Sequence, residues 1–204
     1  MEFSSILAVN IAVAAAAYLM GNISPAILLG RMYGVDIKKE GSGNAGATNV
    51  LRVLGKKAAA VTLSIDVLKG VAAVLLGRYL GGEGLALVCG IAVFCGHIWP
   101  VFFKFKGGKG VATALGVILT TVPVLGAVVL ASALVIIAIS RRVSVGAITC
   151  AVAFPPVVAF YDREMMIWAI ALGVIILITH RRNMVRLFKG EEPKLNFKEK
   201  RSGN

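Results

Sequence analysis

Long apolar stretches separated by short basic or glycine-rich segments set the pattern of this chain. The apolar runs fall at 3–29, 58–80, 85–103, 111–139, 143–161 and 165–179. A helix needs about 20 mostly apolar residues to cross roughly 30 Å of hydrocarbon at 1.5 Å per residue, so the pattern predicts a bundle of membrane-spanning helices. The first run could imitate a secretory signal. Its flank carries Glu2 and no basic n-region, and it is longer than a signal core, so it reads as a retained first helix.

Loop charge sets the number of crossings. The segment 30–57 holds Arg31, Lys38, Lys39, Arg52, Lys56 and Lys57. Further basic segments hold Lys104, Lys106 and Lys109, then Arg141 and Arg142, then eight basic residues after His180. Together they carry nineteen of the 22 Lys and Arg. The turns at 78–84 and 162–164 carry one each. Basic loops stay in the cytoplasm, which requires an even number of crossings between successive basic segments. The 111–139 run must then cross twice, with a hairpin near Thr120, Thr121, Val122 and Pro123. The expected fold is an all-α integral membrane protein with seven transmembrane helices, its N-terminus outside and its C-terminus inside. Short cytoplasmic glycine-rich loops carry the motifs. The two halves of the hairpin are short, so either 107–110 starts the helix early or the bilayer is thinned there. Residues 1–192 form a single polytopic membrane domain, and 193–204 a polar, loosely ordered cytoplasmic tail.

Composition agrees. Hydrophobic residues make up 58% of the 204 positions and charged residues only 16%, against about a quarter in soluble domains; mean hydropathy is +0.85. The net charge of +12 is spread over loops rather than one face, which argues against a nucleic-acid partner. Cys89, Cys95 and Cys150 lie inside apolar runs, where thiols behave as small hydrophobes, and suggest no disulfide framework.

The chemistry concentrates in four polar segments at helix ends. GSGNAGATNVLR contains Gly41, Ser42, Gly43, Asn44, Gly46, Ala47, Thr48, Asn49 and Arg52. Successive amides in a glycine-rich concavity bind anions, and the Arg52 fork suits phosphate. Gly41, Gly43 and Gly46 also match the dinucleotide fingerprint, with Asp66 twenty residues on. That signature has meaning only after a strand in a βαβ unit, and here an irregular loop precedes it. GHIWPVFFKFKGGKGVAT brings His97, Lys104, Gly107, Gly108 and Lys109; glycines beside Lys109 permit close approach to a phosphate, although the spacing is not a Walker A loop. Arg141, Arg142 and Ser144 read either as part of the site or as topogenic arginines plus an N-cap. In HRRNMVRLFKGE, His180, Asn183 and Arg186 are spaced by three, so a continuing helix puts them near one face. Asp66 and Lys69 form an intramembrane pair that is structural or functional.

Taken together, GSGNAGATNVLR, GHIWPVFFKFKGGKGVAT and HRRNMVRLFKGE resemble the three motifs of the acyl-phosphate:glycerol-3-phosphate acyltransferase family of bacterial inner membranes. The resemblance implies transfer of a fatty acyl group from acyl phosphate to the sn-1 hydroxyl of glycerol 3-phosphate, giving lysophosphatidic acid and phosphate. It implies a cytoplasm-facing site and neither acyl-CoA nor acyl carrier protein as donor. Direct transfer is expected, because the donor is already activated and no G-x-S-x-G elbow is present. The expected acyl-phosphate ligands are Gly41, Ser42, Gly43, Asn44, Gly46, Ala47, Thr48 and Asn49. The expected glycerol-3-phosphate ligands are Arg52, Lys104, Gly107, Gly108, Lys109, Ser144, His180, Asn183 and Arg186. Ser42, Arg52, His180 and Asn183 would be catalytic, with either His180 or a substrate phosphate as base. No metal or other cofactor is expected, because the two histidines lie on different helices; the chain is expected to act as a monomer. The competing reading is an organic-phosphate or anion transporter. Transporters place broken helices and charges near the bilayer midplane, whereas these motifs lie at one surface.

Overall fold

The computed structural model describes residues 2–195, and all regular elements among them are helical. The elements are α1 (Glu2–Gly21), α2 (Pro25–Met32), α3 (Ala47–Leu54), α4 (Lys56–Ile98), α5 (Val111–Thr121), α6 (Pro123–Ser140), α7 (Val143–Tyr161), α8 (Met166–Thr179) and α9 (Arg181–Phe188), with short 3-10 turns at Val101–Phe103 and Arg163–Met165. Among the described residues, four helical stretches are long and apolar enough to cross a membrane, or five if the bent pair α8–α9 counts as one span. Most of the tail expected at 193–204, with its loose order, lies outside the described residues.

The first apolar run is not one helix. Pro25 lacks an amide and disfavours helical backbone in the residue before it, so α1 stops at Gly21 and α2 restarts at Pro25. Buried Asn22 fills the break: its Nδ2 donates to the Tyr18 carbonyl at 2.7 Å. The long α4 is a hairpin rather than a rod. Gly82, at φ 72°, has the left-handed backbone that glycine adopts without penalty. The two arms, 56–80 and 83–98, fold back antiparallel, so Lys69 of the first meets His97 of the second at 2.7 Å. A Cβ at Gly77 would stand 2.7 Å from the Leu85 carbonyl.

The 111–139 run breaks at Val122, followed by Pro123 at the start of α6, within the expected hairpin. Gly107–Gly110 does not begin the helix early. Gly110 caps α5 with φ 82°, and α5 is only 11 residues long, about 16 Å at 1.5 Å per residue.

The main core joins Ala17 of α1, Val74, Phe94 and Val93 of α4, Val117 of α5, Phe154 of α7 and Leu172 of α8. A smaller core of Ala26, Ile37, Ala45 and Val50 lies under the first glycine loop. Helix α6 turns almost everything outward: Leu134 and Ile139 are exposed and only Gly126 is buried. An apolar surface of this extent is a lipid-facing one.

The two ends of the bundle differ. At one end Arg78 pairs with Glu83 at 2.6 Å and donates to the Thr120 carbonyl at 3.2 Å, tying the α4 turn to the α5–α6 turn. At the other end the motif segments meet.

Candidate active site

Helix N-termini carry unpaired amides and a partial positive charge, and those of α3, α5 and α7 each open at a motif segment. Before α3, Gly41 and Gly43 take left-handed φ values of 59° and 70°, which lets the loop turn tightly around Asn49. That amide is fully engaged within the loop: its Oδ1 accepts from the Ser42 amide at 2.7 Å, and its Nδ2 donates to the Ile37 and Glu40 carbonyls, both at 3.0 Å. Asn49 thus shapes the loop. The Ser42 side chain is exposed above it, Asn44 is half-buried, and Ala47 and Thr48 form the first turn of α3, with Arg52 exposed one turn on.

The second segment docks onto the first. Gly107 and Gly108 donate to the carbonyls of Ile98 at 3.0 Å and His97 at 3.1 Å. A Cβ on Gly108 would stand 2.7 Å from the Ala45 carbonyl, so the close approach of the two loops requires glycine there. Lys109 follows. Its ammonium donates to Asn183 Oδ1, and its carbonyl accepts from Thr179 Oγ1 at 3.2 Å. Burial pushes the Lys109 ammonium down to about 8; Glu192 opposes the shift, while Arg186 and Arg52 add to it.

The third and fourth segments are joined by a residue to which the sequence pattern assigns no role. The Glu192 carboxylate accepts at Oε1 from Ser144 Oγ at 2.7 Å and from Asn183 Nδ2 at 2.6 Å. Its Oε2 accepts from Arg186 Nε at 2.7 Å, and its carbonyl accepts from Arg142 Nε at 2.9 Å. Burial raises the pKa of this carboxyl, but the hydrogen bonds from Ser144, Asn183 and Arg186, with the guanidinium charge, outweigh it and hold it below the ordinary range. The signal for it is a pair of adjacent glutamates at the end of a strongly basic segment. Gly190, at φ 73°, ends α9 and turns the chain: the amides of Glu191 and Gly190 bond back to Arg186 at 2.8 Å and Leu187 at 3.1 Å, the Schellman arrangement.

Three details differ from expectation. Arg142, not Ser144, caps α7; Ser144 lies inside the first turn, where its hydroxyl serves Glu192. No continuous helix carries His180, Asn183 and Arg186, because α8 and α9 meet at His180 with a 59° bend. Asn183 and Arg186 still share a face, one turn apart on α9. Lys104 stands apart from the Lys109–Glu192 group, in a cleft of about 560 Å³ lined also by Arg31, Lys38, Phe103 and Lys106. Lys104 and Phe105 both have left-handed backbone, φ 54° and 57°, and Lys38 Nζ closes the loop on the Lys106 carbonyl.

His180 is buried at the bend, with Nδ1 2.9 Å from the Ile176 carbonyl. A carbonyl only accepts, so the proton sits on Nδ1 and Nε2 keeps its lone pair. Among the described residues, no three His, Cys, Asp or Glu side chains gather as metal ligands.

The chain is a helical integral membrane bundle that gathers Arg52, Lys109 and Arg186 beside helix N-termini at one end. The family model described as glycerol-3-phosphate acyltransferase matches residues 11–190, and the chain belongs to that family. The glycerol-3-phosphate acyltransferase of Thermoanaerobacter pseudethanolicus is 48% identical over 185 residues, covering 89% of this chain and 93% of that protein. That of Clostridioides difficile is 42% identical over 198 residues, covering 92% and 96%. The crystal structure of PlsY (YgiH), an integral membrane glycerol 3-phosphate acyltransferase, in its glycerol 3-phosphate form superposes with a TM-score of 0.87 at 37% identity, covering 92% of this chain and 96% of that one. Its lysophosphatidic acid form gives 0.84 at the same identity.

Proposed function

We propose that this protein transfers a fatty acyl group from acyl phosphate to the sn-1 hydroxyl of glycerol 3-phosphate, at the cytoplasmic face of a bacterial inner membrane. The observation that carries this reading is the linked group Lys109–Asn183–Glu192–Arg186, in which buried Asn183 and Glu192 hold two half-buried cations at the end of an apolar bundle, in a family named for glycerol-3-phosphate acylation. Both substrates carry phosphate and one carries a lipid chain; a cationic, glycine-lined end of a membrane bundle suits both.

The hydroxyl oxygen attacks the carbonyl carbon of the mixed anhydride, a C–O bond forms, and the bond to the phosphate oxygen breaks. No covalent enzyme intermediate is needed. The α3 N-terminus, with Gly41, Ser42, Gly43, Asn44, Gly46, Ala47 and Thr48, stabilises the charge developing on the departing phosphate, while Asn49 holds that loop in shape. Arg52, Lys109 and Arg186 hold glycerol 3-phosphate, Gly107 and Gly108 give it room, and Ser144 and Asn183 are aligned by Glu192. Lys104 contributes from the neighbouring cleft. The hydroxyl proton leaves to His180 Nε2 or to the departing phosphate, which are the two available bases. The membrane domain acts as a monomer with seven crossings: α1, the two arms of α4, α5, α6, α7 and α8.

The test is to assay purified protein in detergent with glycerol 3-phosphate and, separately, acyl phosphate, acyl-CoA and acyl carrier protein. Lysophosphatidate should form from acyl phosphate alone. Turnover with a thioester donor would refute the donor assignment. Absence of product from all three would favour the transporter reading, since detergent solution has no sides to transport between.

A further inference from the structure

Three buried ionisable side chains lie outside the transfer cluster. Asp66 and Lys69 come from the first arm of α4 and His97 from the end of the second, and they are 1%, 6% and 5% exposed. Lys69 Nζ is at the centre, 2.7 Å from Asp66 Oδ1 and 2.7 Å from His97 Nδ1. It also donates to the carbonyls of Ile23 at 2.9 Å and Gly21 at 3.2 Å, so it ties the end of α1 to both arms of α4. Asp66 Oδ1 is also 3.2 Å from His97 Nδ1, so both partners hold that side of the ring and the other nitrogen, Nε2, points away from them.

That nitrogen faces the second glycine loop. Gly108 lies so close that a Cβ there would collide with His97 Nε2. The His97 carbonyl accepts from the Gly108 amide at 3.1 Å, so ring and backbone together fix one residue. The next residue is Lys109. Burying three ionisable groups in a membrane bundle is costly, and well-packed apolar side chains would join the same helices at less expense. What an apolar triplet could not do is present a rigid, oriented imidazole to Gly108.

We propose that Asp66, Lys69 and His97 are positioning residues for the transfer reaction: the cluster fixes the height of Gly107 and Gly108 and so holds Lys109 Nζ in place for the phosphate of glycerol 3-phosphate. Asp66 neutralises Lys69, Lys69 fixes the ring of His97, and His97 sets the loop. The inference rests on Lys109 being a ligand of that substrate.

The experiment is a double-mutant cycle on the full chain purified in detergent, using wild type, His97→Asn, Lys109→Met and the double variant. Thermal unfolding, kcat and KM for glycerol 3-phosphate are measured for each. Asparagine keeps an acceptor for Lys69 but is too short to reach Gly108. His97→Asn should unfold close to wild type while its KM rises roughly ten- to hundred-fold, the scale of a displaced positioning group. In the Lys109→Met background the same substitution should change KM little, because coupled residues are non-additive. A folded His97→Asn with unchanged KM overturns the inference, as does an equal effect in both backgrounds. If His97→Asn does not fold, Gly108→Ala presses on the same Nε2 from the loop side, and its KM effect must likewise vanish without Lys109; persistence overturns the inference. A wild type inert towards acyl phosphate overturns the functional reading and this inference with it, whereas an active wild type with unmoved variants overturns the inference alone.

Discussion

At the scale of single residues, the proposed phosphate site depends on which cations stay charged. Burial is the largest influence on Lys109, and it leaves the free ammonium at about 8 instead of 10.5. The cation that holds an anion is present below that value and is lost as pH rises through it. Between about 8 and 10.5 the unfolded chain binds more protons at this residue than the folded one, so its contribution to stability grows with pH just where binding weakens. The expected result is an alkaline limb near pH 8 in kcat/KM for glycerol 3-phosphate. In Lys109→Arg the limb should move out of range, since a guanidinium keeps its proton; a limb unchanged in that variant would assign it to another group. Arg52 makes the complementary case. It acts electrostatically on Lys109 and offers two parallel donors, which a lysine cannot reproduce. A lost charge-assisted bond costs about 1.5–3 kcal/mol, so Arg52→Lys should lower kcat/KM roughly ten- to hundred-fold. Steady-state kinetics with each substrate varied in turn would check this, and near-normal values for both would leave Arg52 as a topogenic charge.

At the scale of elements, glycine decides how near the helices come, and through that where the loops end. Gly116 of α5 lies against the Val67 backbone and Gly70 of α4 against the Thr113 carbonyl, each with no room for a Cβ. Small residues let membrane helices approach backbone to backbone. Gly116→Ala should therefore push α5 from α4, destabilise by about 1–3 kcal/mol, and lower the unfolding temperature in detergent; an unshifted transition would mean that the interface can give. The same scale shows what the sequence could and could not tell. Apolar runs and Pro123 marked the helices and the Val122 break, because burial in lipid and a missing amide are local facts. The stop at Gly21 has a local cause in Pro25, hidden inside a run that reads as one helix, whereas the engagement of Ser144 by Glu192 instead of a helix end depends on a segment 48 residues away, and a spacing rule does not contain it. The cation set was legible as composition: Arg52, Lys109 and Arg186 do come together, with the Asn183 amide between them. Glu192 was not, because a glutamate in a basic tail acquires meaning only when a Schellman turn brings it back under Ser144. Asn49 looked like a phosphate donor, but all its polar atoms are engaged within its own loop.

At the scale of the whole molecule, the question is which side of the membrane each end of the bundle faces. The four basic segments meet at one end through Lys109–Asn183, Ser144–Glu192 and the approach of Gly108 to Ala45. At the other end Arg78 joins the α4 turn to Thr120, and a Cβ at Gly81 would stand 3.4 Å from Asn10 Oδ1, so the early part of α1 reaches that end too. Tyr18, near the finish of α1, donates to the Trp99 carbonyl at 2.6 Å, at the motif end. One end therefore concentrates cations and the other does not, and the proposed orientation, motif end to the cytoplasm, follows the positive-inside bias. The proposed seven crossings, with the N-terminus outside, count the α4 hairpin as two and α5 and α6 as one each, where four or five helical stretches among the described residues are long and apolar enough by themselves. α5, at about 16 Å, is shorter than an ordinary span, which makes it the crossing that most needs a test. Single cysteines introduced at Thr121 and Arg142, in a background without Cys89, Cys95 and Cys150, test this in intact cells and in permeabilised ones. An impermeant thiol reagent should label position 121 from outside and position 142 only after permeabilisation. Outside labelling at 142 would remove the α5–α6 hairpin crossing and put the motifs from the third segment onwards on the wrong side of the membrane from the first two, which the Lys109–Asn183 contact does not allow.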